Sequence, residues 1–274
     1  MASFSLPILA LFMAVGSLAG FLAGLMGIGG GIILIPMFLW AFKVAGFPPD
    51  ILVHAAFGTS LAIILPTALS STLSHRQRGN VDWHQVLNMG YGGALGVLVG
   101  SSLAVGLPGG VLKGLFGIMQ MGVGLKLFLH QPYLPPEDPA PIPTRLMLVT
   151  GFTAGAFSAF FGVGGGVIAV PMMVIFLRQP VHLAVGNSSA FMVLSSLFGA
   201  LSYIYHGWGL PQLPPFSLGY VNLLVAVVIA PLTIIFARLG VRLATRTSHG
   251  KLLKIFAGFL ILTGIYMAFR LFLH

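Results

Sequence analysis

Long apolar runs, interrupted by short polar or glycine-rich segments, dominate the sequence. Runs 51–73, 86–107 and 252–273 each extend over 20 or more residues with little or no charge. That is the length a helix needs to cross a hydrocarbon core about 30 Å thick. The pattern therefore predicts an all-α polytopic membrane protein.

The two halves of the chain repeat one pattern. GSLAGFLAGLMGIGGGIILIPMFL, beginning at Gly16, aligns without a gap with GFTAGAFSAFFGVGGGVIAVPMMV, beginning at Gly151. HAAFGTSLA at His54 aligns with HLAVGNSSA at His182, at an offset of 128 residues. Internal repeats of this kind are common in transporters. The predicted units are a first transmembrane repeat at 1–130, a proline-rich linker at 131–144 and a second transmembrane repeat at 145–274.

Each half divides into five apolar pieces, of which the second is short. The pieces cover residues 6–26, 32–42, 51–73, 84–107 and 111–130, then 145–161, 167–177, 181–206, 216–239 and 250–272. Eleven residues make only about 17 Å of helix, which is half a membrane. We therefore expect each half to be a broken or re-entrant glycine hairpin plus three transmembrane helices. The total is eight to ten membrane segments, depending on whether both arms of each hairpin cross completely.

The charge distribution predicts that the two repeats are inverted. Placing the loop SHRQRGN (74–80) in the cytoplasm assigns ten of the 13 Lys and Arg residues to that side and leaves Lys43, Lys113 and Arg270 on the other. This asymmetry follows the positive-inside rule and puts both termini outside the cytoplasm. It also explains the net charge of +9 without a nucleic-acid partner, because the basic residues lie at the ends of apolar runs.

The composition argues against an enzyme. Hydrophobic residues make up 57% of the chain and charged residues 6%, whereas soluble domains carry about 25% charged residues. The four acidic residues fall in loops or at segment ends, and cysteine is absent. Carboxylate pairs, metal sites built from carboxylates or thiolates, and a Ser-His-acid triad therefore lack their components. We expect no catalytic residues, no metal and no cofactor.

The first segment lacks a preceding basic region, so we expect it to stay in the mature protein.

The duplicated glycine segments are the first candidate substrate site. They stand where the two short helices must begin, and the first N–H groups of a helix can bind an anion that glycine lets approach closely. The candidate residues are Gly27, Gly29, Gly30, Gly31, Gly162, Gly164, Gly165 and Gly166. The alternative is that these glycines only allow close helix packing.

The second duplicated segment adds neutral polar side chains inside apolar runs. They are Thr59, Ser60, Asn187, Ser188 and Ser189. They either line a substrate path or link helices. A further helix break is expected at the adjacent Gly58 and Gly186. His54 and His182 begin these runs, and they are candidates for coupling protonation to transport; the alternative is an interfacial position at a helix start.

The two glycine segments, GLMGIGGGIILIP and AFFGVGGGVIAVP, each followed by H-x-A-x-G-[TN]-S, resemble the TauE/SafE family of sulfite exporters over nearly the whole chain. The resemblance implies a secondary transporter of a small anion (sulfite, a sulfonate or a related organosulfur compound), exporting it across a bacterial inner membrane. We expect alternating access driven by a proton, by sodium or by the substrate's own gradient, since no ATP-binding motif is present. The bilayer is the other partner, and the oligomeric state is left open. An anion channel and a transporter of an unrelated solute are the alternatives.

Overall fold

The computed structural model describes residues 5–26, 30–129, 141–244 and 249–269. These residues form ten α-helices and one antiparallel β-hairpin. The helices are α1 (Leu6–Met26), α2 (Gly31–Val44), α3 (Pro49–Gln77), α4 (Trp83–Val105), α5 (Gly109–Leu129), α6 (Thr144–Phe161), α7 (Gly166–Ile175), α8 (Val181–His206), α9 (Leu223–Ala244) and α10 (His249–Phe269). The strands are β1 (Ser217–Leu218) and β2 (Val221–Asn222). The prediction of an all-α protein is confirmed.

Helix length and surface both fit a bilayer. Among the described residues, 7 helices are long and apolar enough to cross a membrane. Large apolar side chains point outward, including Leu95 at 63% exposure, Val227 at 69% and Leu262 at 70%. A soluble protein rarely exposes so much contiguous apolar surface, whereas lipid tails cover it without cost. The chain is a polytopic membrane protein, as its apolar runs predict.

The glycine segments separate a long helix from a short one in both halves. In the first half, α1 ends at Met26 and α2 has 14 residues; in the second, α6 ends at Phe161 and α7 has 10. These short helices are about 21 and 15 Å long. Stretches of α1 and α6 are long enough to span on their own. Re-entry of the short helices into the membrane stays a prediction.

Glycine seams join the two halves. Along α4, every fourth residue lies against α6 at a constant offset, so these helices run parallel. The contacting pairs are Gly92 with Leu148, Gly96 with Phe152 and Gly100 with Ala156. Helix α1 packs in parallel on α9 in the same way, through Gly16 against Ile229 and Gly20 against Thr233. Small residues at these positions let the backbones approach closely, which is the usual basis of helix association in lipid.

Equivalent helices of the two halves also pack against each other. Helix α3 crosses α8 antiparallel, with Gly58 against Tyr203 near one end and Ser71 bonded to Ser189 near the other. Helices α5 and α10 are antiparallel too, with Gly117 beside Gly264. Since α1 pairs with α9 as α6 pairs with α4, exchanging the halves leaves the pairing pattern unchanged. The orientation of each half in the membrane stays a prediction, and most of the linker lies outside the described residues.

The start of α9 differs from the prediction. The apolar piece expected at 216–239 begins instead with the β-hairpin, and the helix starts at Leu223. Asn222 sets this start, because its Oδ1 accepts a hydrogen bond from Val225 N (3.0 Å) while its Nδ2 donates to Pro215 O (3.0 Å). An N-cap of this kind fixes the residue at which the helix begins, even though the apolar run begins earlier.

Candidate substrate site

The second glycine segment is a tight loop that only glycine fits easily. Helix α6 ends at Gly162, and Gly162, Gly164 and Gly165 have φ angles of 67°, 76° and 89°. Side chains other than glycine rarely adopt this left-handed region. Val163 N donates to Ser158 O (3.1 Å), which closes the end of α6. The recurrence of GxGGG in the sequence therefore has a backbone cause in this half.

The first turn of α7 leaves hydrogen-bond donors free. Ile168 N and Ala169 N both donate to Gly165 O, at 3.1 and 2.8 Å. The N-cap Gly165 has no side chain to cap the helix, and the N–H groups of Gly166 and Val167 meet no acceptor within the described part of the chain. Free N–H groups at the positive end of a helix attract an anion.

Three buried serine hydroxyls near this loop also lack partners. Ser60 and Ser158 are 0% exposed and Ser188 is 2% exposed, and none of their Oγ atoms has a hydrogen-bond partner among the described residues. Buried serines in helices usually donate to their own backbone, as Ser101 does to Val97 O at 2.8 Å. Unpaired buried hydroxyls are uncommon enough to need an explanation.

Ser158 lies beside the loop, and helical spacing puts Ser60 and Ser188 on helix faces that contact it. The Cβ of Ser158 is 3.2 Å from the position that a Cβ on Gly165 would take. Ser188 shares a face of α8 with Phe191 and Met192, since residues three and four apart lie together on a helix. By the same spacing, Ser60 shares a face of α3 with Phe57 and Ile64, which both contact the loop. These neighbours contact the loop as follows: Phe191 at Gly165, Met192 at Gly166, Phe57 at Gly162 and Ile64 at Gly164.

The two glycine segments meet. A Cβ on Gly31 would lie 2.5 Å from Val163 Cα, so the start of α2 touches the second loop. Gly30 is helical (φ −72°, ψ −23°), and a Cβ there would make only ordinary contacts with Leu34 and Ala23. Gly27 and Gly29 lie outside the described residues. Within the described part of the first segment, Gly31 is thus required for packing and Gly30 is not.

Thr59 and Asn187 make equivalent bonds between the halves. Asn187 Oδ1 accepts from Asp82 N at 2.8 Å, and Thr59 Oγ1 accepts from Asn222 N at 3.0 Å. Asp82 and Asn222 are the N-cap residues of α4 and α9. Each side chain therefore anchors the start of the fourth helix of the opposite half. Their predicted contact with substrate stays a prediction.

The expected helix breaks at Gly58 and Gly186 are wrong. Helices α3 and α8 continue through both positions. The glycines instead let the loops before α9 and α4 come close, because a Cβ would collide with Tyr220 O at Gly58 and with Asn80 O at Gly186. The second motif therefore combines a close approach at glycine with an anchor at the next residue.

A network of amide side chains extends from Asn187. Its Nδ2 donates to Gln85 Oε1 (2.9 Å), which also accepts from Gln179 Nε2 (2.6 Å). Ser189, which follows Ser188, is bonded to Ser71 Oγ (3.0 Å) and Val185 O (3.0 Å) and so links α8 to α3. Hydrogen bonds of this kind between helices hold the two halves together in the bilayer.

The two motif histidines have different environments. His54 is 5% exposed in α3, and its Nε2 lies 3.3 Å from Ala104 O. His182 is exposed in the first turn of α8. The alternative role, an interfacial residue at the start of a helix, fits His182 but does not fit the buried His54.

Four polar residues near these sites were not predicted from the sequence: Gln85, Gln120, Ser158 and Gln179. Ser158 aligns with Ala23, so a search for repeated residues passes over it. Gln120 is 0% exposed on α5, and its Nε2 reaches Ile32 O at 3.5 Å. Pro36 deprives that carbonyl of its usual helical donor. Gln120 could have been identified from the sequence as an uncharged polar residue inside an apolar run.

The Sulfite exporter TauE/SafE family model matches residues 12–267. The chain belongs to the TauE/SafE family. Among curated TauE/SafE-like relatives, a "Probable membrane transporter protein" of Haemophilus influenzae is 30% identical over 262 residues, covering 94% of this chain and 97% of the relative. Proteins of the same description in Bacillus subtilis and Methanocaldococcus jannaschii are each 26% identical, covering 97% and 96% of those relatives. No solved structure matches the chain significantly.

TauE/SafE membership makes the chain a multi-pass membrane transporter, of a family of transporters rather than enzymes. The duplicated glycine motif that carries the resemblance is one of the places where the two halves of this TauE/SafE protein touch, through Gly31 and Val163.

Proposed function

We propose that this transporter exports a small anion, sulfite or a sulfonate, and binds it at the start of α7. One observation carries the proposal: the free N–H groups of Gly166 and Val167 directly follow Gly165, against which Ser158 packs with a buried hydroxyl that has no partner among the described residues. A bound oxyanion would satisfy both sets at once. The family description as a sulfite exporter supports the choice of anion.

Neutral donors are sufficient for such a site. A hydrogen bond to a charged group contributes about 1.5–3 kcal/mol, and several converging bonds compensate an anion for lost water. The acidic side chains that the structure describes, Asp50 and Asp82, lie at the start of α3 and just before α4. A site without lysine or arginine also releases its anion readily, which a transporter requires.

The arrangement of the halves supports transport by alternating access. We propose that the repeats are inverted in a bacterial inner membrane and rock about their contact. The antiparallel packing of α3 on α8 and of α5 on α10 supports this proposal. An inside-negative potential favours export of an anion by about 2.3 kcal/mol per charge per 100 mV.

Counterflow in proteoliposomes tests the proposal. Vesicles loaded with unlabelled sulfite are diluted into a trace of labelled sulfite or methanesulfonate, with protein-free vesicles as the control. A carrier predicts transient accumulation of label above its equilibrium level. Equilibration without an overshoot would indicate a channel. No protein-dependent uptake of either anion would reject the proposed substrate class.

A further inference from the structure

His54 stands out among the ionisable side chains. Of the described Asp, Glu, His, Lys and Arg residues, it is the one that is buried, at 5% exposure. The fold otherwise keeps such groups at the ends of helices, because burying a charge in a bilayer is expensive. A buried titratable group within a transporter therefore suggests a use for its titration.

The geometry pairs one nitrogen of the ring and leaves the other open. His54 Nε2 faces Ala104 O in the last turn of α4, where the carbonyls carry the negative end of the helix dipole. The other nitrogen, Nδ1, is buried and has no partner among the described residues. With the Nε2–H donating to Ala104 O, Nδ1 keeps a lone pair that can accept a proton.

The ring contacts both halves and lies near the glycine loop. Its centroid is 5.2 Å from that of Tyr220, in the segment of the second half that Thr59 anchors through Asn222. One helical turn further along α3, Phe57 contacts Gly162. A charge on the ring would therefore act on the anion site and on the contact between the halves.

Few other titratable groups surround the ring. On α3, Asp50 lies one turn earlier and is exposed. From the second half, Tyr220 lies against the ring, and Tyr203, which contacts Tyr220, already donates its OH to Ala159 O at 2.9 Å. The described end of α4 and the following loop, residues 104–108, contribute only backbone carbonyls and apolar side chains.

We propose that His54 carries a proton that crosses the membrane together with the anion. Nδ1 takes the proton from water on the side where the anion enters and returns it to water on the other side, one proton per anion. Cotransport is favoured because imidazolium and anion attract each other in a medium of low dielectric. A monoanion then crosses without net charge, whereas a dianion such as sulfite keeps one negative charge, which an inside-negative potential drives outward. His182, its counterpart in the repeat, is exposed and has no part in the coupling. The inference rests on the proposed anion transport.

The test follows protons and anion separately in the full-length protein. Vesicles containing the pH-sensitive dye pyranine receive an inward gradient of methanesulfonate, which stays ionised and so cannot carry the proton itself. If counterflow shows that only sulfite is transported, sulfite replaces methanesulfonate. Protein-free vesicles then give the baseline change in lumen pH. His54→Gln keeps an N–H that can reach Ala104 O but cannot titrate, and His54→Asn is the second variant if the first fails to fold. His182→Asn is the matched control.

Wild type and His182→Asn should acidify the lumen, whereas His54→Gln should retain counterflow but acidify at least tenfold more slowly. Equal acidification by His54→Gln, or wild-type counterflow without any change in lumen pH, would overturn the role of His54. Absence of counterflow in wild type would instead overturn the proposed function, and the inference with it.

Discussion

Replacing the unpaired serines with alanine should have two opposite effects. In the unliganded protein, a buried hydroxyl without a partner costs about 1–3 kcal/mol. Ser158 is 0% exposed and Ser188 is 2% exposed, so Ser158→Ala and Ser188→Ala each remove such a cost. We expect each variant to unfold at a higher temperature, with a gain in the free energy of unfolding of about 1 kcal/mol.

The same variants should bind the anion less tightly. A hydrogen bond to a charged ligand contributes about 1.5–3 kcal/mol, so losing one raises Kd roughly 10- to 150-fold. Thermal unfolding in detergent and calorimetric titration with sulfite measure the two effects on one sample. The gain in stability and the loss in affinity should appear together, as at sites where function costs stability.

Ser101→Ala is the matched control. Ser101 is also a buried helical serine at 0% exposure, but its hydroxyl bonds Val97 O (2.8 Å) and Ser202 Oγ (2.6 Å). Its removal should lower stability by about 1 kcal/mol and leave Kd unchanged. If Ser158→Ala and Ser188→Ala behave like this control, the unpaired hydroxyls have no role in anion binding and the reasoning is refuted.

Three further predictions concern the fold. Gly31→Ala should lower the free energy of unfolding by about 1–3 kcal/mol through its clash with Val163, whereas Gly30→Ala should change it by less than about 1 kcal/mol; equal unfolding temperatures would refute this difference. Asn187→Ala, which leaves Asp82 N unpaired, should cost about 1–3 kcal/mol in denaturant unfolding, and an unchanged midpoint would show that the anchor is dispensable. Single cysteines replacing Arg76 and Tyr205, both exposed near the C-terminal ends of α3 and α8, should react with impermeant reagents from opposite sides of the membrane; reaction from the same side would end the inverted-repeat proposal.

Most helices were predictable because their boundaries follow local signals. Apolar runs of membrane-spanning length and the glycine segments place α1, α6 and α8 to within a residue. The short length of α2 and α7 was visible from the distance between glycines and the next basic residue. The start of α9 was missed because Asn222 caps the helix within a run that remains apolar.

The candidate site was only partly predictable, because contacts between elements leave little trace in a single sequence. Repetition identified Ser60 and Ser188, which the structure leaves without partners. Repetition also identified Thr59 and Asn187, yet their oxygens hold the caps of α9 and α4. Ser158 and the amides of Gln85 and Gln179 occur once each, so they became visible only when packing brought them to the loop and to Asn187.

The most direct test of the account is the position of the bound anion. Selenite has the shape and charge of sulfite, and its selenium scatters anomalously in a crystal of the purified protein. An anion bound at the start of α7 should give one anomalous peak within hydrogen-bond distance of the N–H groups of Gly166 and Val167, beside Ser158 and Ser188. A peak elsewhere in the fold, or a start of α7 without a bound anion at saturating selenite, would contradict it.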